Sequence, residues 1–200
     1  MRLPSSGLTG RERLKEMKAN VTQLMVNEHK LILRMIDLVE KNTELLEQGK
    51  FRNWQFYLDA VDFIRNYADH FHHAKEEDVL FIELVKNGMP EKHSPIEAMH
   101  MEHDQGRTYV RAMEEAAQKA LDGETGQIVI IAENAKGYAA LLRGHIEKED
   151  GILYPLAERI LPEEIRERML AAYVCVESKA PGLEDKYRKL VEGYEQQVTA

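Results

Sequence analysis

His72-His73-Ala74-Lys75-Glu76-Glu77-Asp78-Val79-Leu80-Phe81 returns later in the chain as His145-Ile146-Glu147-Lys148-Glu149-Asp150-Gly151-Ile152-Leu153-Tyr154. Both copies read H-x-x-K-E-[DE]-x-[VI]-L-[FY]. A His and a Glu four residues apart on a helix share one face, one turn apart. One such pair is ordinarily a solvated surface pair of little consequence. Two pairs in the same ten-residue context predict two helices that offer matched nitrogen and oxygen ligands to one centre.

A second matched element lies upstream of each copy. Met25-Val26-Asn27-Glu28-His29 aligns with Met99-His100-Met101-Glu102-His103, giving M-x-x-E-H. His29 precedes His72 by 43 residues, and His103 precedes His145 by 42. The chain therefore reads as two copies of a helical hairpin, each with a His on its first helix and a His-x-x-x-Glu on its second. Packed face to face, they send six candidate metal ligands inward: His29, His72, Glu76, His103, His145 and Glu149. Imidazoles suit iron, zinc or copper, while carboxylates suit harder cations such as manganese. Six ionisable groups buried without a cation cost many kcal/mol in desolvation, so the cluster predicts a metal.

Other residues compete with these six or support them. His73 and Glu77 form a rival pair one position further round the helix. His100 stands three residues before His103, and Asp150 competes with Glu149. The repeat favours Glu149, because it aligns with Glu76. Tyr138, two turns before His145, either packs in the core or reaches a metal-bound species. His70 and His93 read as surface or supporting residues, and Met25, Met99, Met101 and Met113 as core. Glu28 and Glu102 read as surface or capping residues, and Lys75 and Lys148 as part of a solvated face. No separate catalytic residue is assigned. A ferritin-like site needs two Glu-x-x-His motifs; Glu97-x-x-His100 has no symmetric second copy.

Outward from the repeat, the sequence is all-helical. A tail covers residues 1–10, and Thr9-x-x-Glu12 has capping-box spacing. A helix is predicted from Arg11 to Gln48, with Leu24, Val26, Leu31, Leu38 and Leu45 at helical period. A second runs from an N-cap at Asn53 to about Asn87, ended by Gly88-Met89-Pro90. Ser94-Pro95-Ile96-Glu97 opens a third, with N-cap Ser, Pro at the first position and Glu at the third, reaching Leu121. The fourth is predicted from Thr125 to Ile160, a fifth from Pro162 to Ser178 and a sixth from Leu183 to about Gln197. The fold class is all-α: an antiparallel up-down four-helix bundle over 11–160, followed by a helical appendage over 161–200. Those last two helices either pack outside the bundle or join two copies into a homodimer.

At 44% hydrophobic and 31% charged residues, the 200-residue chain is ordinary for a water-soluble globular domain. A net charge of -8 without a basic cluster argues against nucleic acid as partner. The lone Cys175 excludes an internal disulfide and fits a reducing cytoplasm. No apolar run approaches the ~20 residues of a membrane span, and the amino terminus lacks the apolar core of a signal peptide.

Across residues 20 to 160 the motifs resemble the hemerythrin-like family, which is marked by a His-His-Glu cation-binding pattern. The matching elements are Glu28-His29, His72-x-x-x-Glu76 with Asp78-Val79-Leu80-Phe81, Glu102-His103, and His145-x-x-x-Glu149 with Ile152-Leu153-Tyr154-Pro155. The resemblance implies two iron ions in an Fe–O–Fe type centre, with zinc or manganese as substitutes. It also implies a small diatomic or peroxide ligand. The oxygen carriers of this family place two histidines four apart on the third helix. Here Met99 and Arg107 flank His103 at that spacing. The pattern of four His and two carboxylates therefore lies closer to the iron-sensing and iron-centre-repair branches. A di-iron oxidase or peroxidase, and a metal-dependent interaction module, are the alternative functions.

Overall fold

The computed structural model describes residues 21–199. The expected tail, the Thr9 capping box and the start of the first predicted helix lie outside the described residues. Among those residues there are helices and no strands. Helix α1 is Gln23–Glu47. Helix α2 runs over 54–86 without interruption, through Trp54–Phe63, the π-helical Ile64–His73 and Glu76–Leu80, and Phe81–Lys86. Helix α3 is Pro95–Leu121. Helix α4 covers 127–160 as Gln127–Lys148, the π-helical Glu149–Leu153 and Tyr154–Ile160. Glu163–Ser178 forms α5 and Leu183–Thr199 forms α6.

Local chemistry sets these ends. The Asn53 side chain accepts from the Phe56 N–H at 3.2 Å. Ser94 accepts from the Glu97 N–H, and the Glu97 carboxylate takes the His93 N–H at 2.7 Å. Gly88 closes α2 with φ +100°. Helix α4 opens at Gln127 rather than Thr125, because Gly126 holds the left-handed conformation at φ +84°.

Helix α3 packs on α4, α4 on α1, α1 on α2 and α2 on α3. The buried stripe of α1 is Met25, His29, Ile32, Met35, Ile36, Val39 and Leu46. Leu31 and Leu38 join it as expected, whereas Leu24, Val26 and Leu45 are only half-buried. Two apolar clusters result. The larger holds Ile32, Ile36, Phe56, Phe63, Val110, Ala117, Ile131 and Ala139. The smaller holds Met25, Leu80, Leu84, Met99, Leu153 and Ala157. On each of the four helices the candidate ligands fall between the two clusters, so apolar packing walls the site at both ends.

The last two helices lie against this same chain. Tyr187, Val191 and Tyr194 of α6 enter the larger cluster. Tyr187 donates its hydroxyl to Asp62 at 2.8 Å, Tyr194 donates to Asp59 at 2.5 Å, and Arg34 pairs with Glu195 at 2.7 Å. Met169 and Tyr173 of α5 enter the smaller cluster.

Helices α3 and α4 approach closely at Gly137, where an added Cβ would stand 2.7 Å from the Tyr109 ring. At Gly144, on the same helix, a Cβ would meet nothing within 4 Å. Gly144→Ala is expected to gain up to ~1 kcal/mol of helix propensity. Gly137→Ala should lose about 1–3 kcal/mol through overpacking, lowering the melting temperature. Thermal unfolding of the two variants checks this, and equal stabilisation by both would refute the close approach.

Candidate metal centre

The two π-helical turns at Glu76–Leu80 and Glu149–Leu153 occupy matching places in the repeat. An i→i+5 turn inserts a residue into the helical register, a feature frequent at functional sites. Sequence period alone had predicted uninterrupted α-helix there. Two consecutive carboxylates on each of these turns meet the imidazoles: Glu76 and Glu149 on the inner, Nε2 side, and Glu77 and Asp150 on the outer, Nδ1 side.

The structure brings all six predicted ligands together, none more than 3% exposed. His29 Nε2 faces His72 Nε2 at 2.9 Å, and His103 Nε2 faces His145 Nε2 at 3.0 Å. The ring pairs meet edge to face with centroids 4.6 and 4.7 Å apart. Glu149 spans both pairs, with Oε1 3.0 Å from His145 Nε2 and Oε2 3.4 Å from His29 Nε2. Glu76 also spans both, its Oε2 lying 3.6 Å from His103 Nε2 and 3.9 Å from His72 Nε2.

Each imidazole is held from behind. Nδ1 of His29 bonds Asp150 at 2.8 Å, and that of His72 bonds Glu28 at 2.8 Å. Nδ1 of His103 bonds Glu77 at 2.6 Å, and that of His145 bonds Glu102 at 2.9 Å. A carboxylate on Nδ1 fixes the tautomer, turns Nε2 towards the centre and raises its basicity as a ligand. The pattern obeys the repeat. The Glu before the first His of each hairpin serves the His on its second helix. The acid after each Glu ligand serves the first His of the other hairpin.

This donor set fits a metal. Glu76 Oε2 and both oxygens of Glu149 have no hydrogen-bond partner among the described residues, although they are buried. Such lone pairs, converging with imidazole nitrogens at about 3 Å, are costly unless a cation sits among them. Candidate groups form on both sides: His29, His72 and Glu149, and His73, Glu76, His103 and His145, the ligand atoms of each lying within 4.8 Å of one another. Burial, reinforced by the neighbouring His29, pushes His72 well below the usual histidine range. Burial and His73 push His103 down to about 4. Both rings are thereby kept neutral, as ligation requires. Burial also opposes charge on His29, but Asp150 and Glu149 outweigh it and hold the ring up at about 9. Burial and the facing Glu149 drive Glu76 well above the carboxylate range. Against its own burial, Glu149 is held well below that range by His145 and His29.

Among the alternates, Glu77 and Asp150 sit on imidazole Nδ1 atoms. His73 stacks on His103 with centroids 3.7 Å apart, and its Nδ1 bonds Asp69 at 3.2 Å. His100 stands edge-on to Phe81 and can group with Glu77 and His103 outside the centre. Tyr138 is buried beside the site. His70 and His93 are exposed.

Two expectations need correction. Glu28 and Glu102 are not surface or capping residues but the groups that hold His72 and His145. Lys75 is not solvated: it is fully buried, paired with Glu28 and with Glu177 at 3.1 Å, and its ammonium lies 3.9 Å from the Phe71 ring centroid. Helix α5 causes this, because it brings Glu177 over the first hairpin. Lys148 makes the matching pair with Glu102 but keeps 42% side-chain exposure. Sequence reasoning also missed Tyr154, which donates to Glu76 Oε1 at 2.6 Å. The recurrence of Glu, Lys and an aromatic in both copies was the signal available for all of these.

Glu28→Gln or Glu102→Gln is expected to weaken metal affinity by about 10–100-fold, since each removes a carboxylate behind an imidazole. Competition with a chelator reads that change. Lys75→Ala should cost about 3 kcal/mol, leaving the buried Glu28 carboxylate with His72 Nδ1 but without its ammonium partner. Lys148→Ala should cost under ~1 kcal/mol, since its pair is partly solvated. Denaturant titration separates the two, and equal losses would contradict the burial difference.

No significant match was found among curated proteins or among solved structures. The family model of the hemerythrin HHE cation binding domain matches residues 20–157, a span that contains all six converging His and Glu residues and the four carboxylates behind the imidazoles. The chain belongs to the hemerythrin HHE cation-binding family.

Proposed function

We propose that the chain holds two iron ions within an antiparallel four-helix bundle and binds or responds to O2, NO, peroxide or iron. His29 and His72 would hold one ion and His103 and His145 the other, with Glu76 and Glu149 shared between them. The observation that carries this reading is that each carboxylate lies near a nitrogen of both imidazole pairs. A pair of iron ions would supply one-electron redox chemistry and open positions for a small ligand. Zinc or manganese would be accepted by the same donors.

The protein's own groups then have defined tasks. Glu28, Glu77, Glu102 and Asp150 orient the imidazoles. The two apolar clusters exclude bulk water from either end. Tyr154 steadies one oxygen of Glu76 and leaves the other directed at the histidines. Reversible oxygen carriage is disfavoured, because Arg107 is tied to Asp69 and Glu77, and Met99 is packed in the smaller cluster. Sensing, or handling of iron and small oxidants, fits better. A di-iron oxidase or peroxidase is the second reading, favoured by buried Tyr154 against Glu76. A reducing, cytoplasmic setting belongs to the proposal and is supported by the single free Cys175. Among the described residues no helix is long and apolar enough to cross a membrane.

Metal analysis of the purified protein should give about two iron ions per chain, as donors for two sites require. An optical spectrum in air should show near-ultraviolet charge-transfer absorption that bleaches with reductant. The double variant His72→Ala, Glu76→Ala should lose both metal and absorption. Two ions retained in that variant would overturn the ligand assignment.

A further inference from the structure

The internal repeat breaks at one place beside the centre, and a cavity of about 240 Å³ lies there between α2, α3 and α4. Its floor is His73, His103 and His145, so it meets the second imidazole pair and not His29 or His72. Gly106 and Val110 of α3 line it. In the other hairpin the repeat puts Ile32 and Ile36 at these positions, and both are packed in the larger cluster. Isoleucine thus fills on one side what glycine leaves open on the other. His73 likewise replaces the Ile146 of the other copy, and Tyr138 the Arg65.

Tyr138 is 4% exposed and lines the cavity, and its hydroxyl makes no hydrogen bond among the described residues. The hydroxyls of Tyr57, Tyr154, Tyr187 and Tyr194 are bonded; that of buried Tyr173 also has no partner among the described residues, but Tyr173 does not line this cavity. Leu141, Leu142 and Ile64 add apolar wall, and the charged groups that also line the cavity include Asp69 and Arg107, which pair with each other. A diatomic ligand needs far less room, since a cavity of about 150 Å³ already accepts benzene.

We propose that this cavity binds a small, mainly apolar organic molecule of roughly ten non-hydrogen atoms. One hydroxyl-type head group would hydrogen-bond to Tyr138 beside His73, His103 and His145. The inference deepens the proposed metal centre by giving it an organic ligand on one side only. The pocket itself is built by this chain's side chains and does not need that centre to exist.

The test titrates the full, metal-analysed protein with phenol and, separately, with toluene by calorimetry. Saturable, one-to-one binding of both is expected. A Cβ at Gly106 would already lie 3.4 Å from the Tyr138 ring, so Gly106→Leu fills the space. It should weaken both probes at least about tenfold while leaving metal content and helical circular dichroism unchanged. Tyr138→Phe keeps the shape and should weaken phenol about fivefold, with toluene unaffected. Absence of saturable binding to the unmodified protein overturns the proposal, as does a folded Gly106→Leu that binds phenol undiminished. Undiminished phenol binding by Tyr138→Phe overturns the head-group assignment. Intact phenol binding in a protein that takes up no metal would count against the metal centre alone and would support the pocket.

Discussion

Six lone-pair donors converge in the interior, and every one of the four imidazoles is turned inward by a carboxylate bonded to its other nitrogen. Much of the structure serves that arrangement. Burying such groups is expensive. Compensation is available from two directions: a cation that the donors could hold, and an outer ring of Glu28, Glu77, Glu102 and Asp150. The outer ring is anchored in turn by Lys75 on Glu28, Lys148 on Glu102 and Arg107 on Glu77. Charge therefore alternates outward from the centre, which lets a polar site exist between two apolar clusters.

The site repeats itself about a pseudo-twofold relation in its details. Tyr154 stacks along His29 with centroids 5.7 Å apart, and Phe81 along His103 at 6.2 Å. The π-helical turns fall at equal places. Where the halves differ, the difference has a physical consequence. Tyr154 carries a hydroxyl for Glu76, whereas Phe81 has none for Glu149, so both oxygens of Glu149 are without a hydrogen bond. His73 has a carboxylate on Nδ1, as the ligands do, and it has no counterpart beside the other pair. The two imidazole pairs are thus chemically unequal in their surroundings.

The two C-terminal helices tie the centre to the rest of the chain. Glu177 of α5 meets Lys75, which meets Glu28, which holds His72. Tyr173 of the same helix lies in the smaller apolar cluster with Tyr154. Helix α6 instead covers the larger cluster through Tyr187, Val191 and Tyr194. One hairpin is thus roofed by additional helix and the other keeps a solvated Lys148.

The convergence of the six His and Glu side chains, the helical class and most helix ends could be read from the sequence, because they depend on spacing along one chain. Ser94-Pro95 and Asn53 start helices through contacts within a single turn, and His72 and Glu76 share a face whatever surrounds them. The repeat pointed to Glu149, not Asp150, as the inward carboxylate, since alignment with Glu76 is a statement about sequence, and Glu149 is the one that lies near Nε2 of His29 and His145. Tertiary structure decided what spacing cannot encode: which acid stands behind which imidazole, whether Lys75 meets water or Glu177, and where an α-turn yields to a π-turn. Those outcomes depend on groups brought from distant segments, with burial setting the cost of leaving any of them unpaired. Glycine at position 106 says nothing by itself; only the packing of three helices around it turns a missing side chain into a cavity.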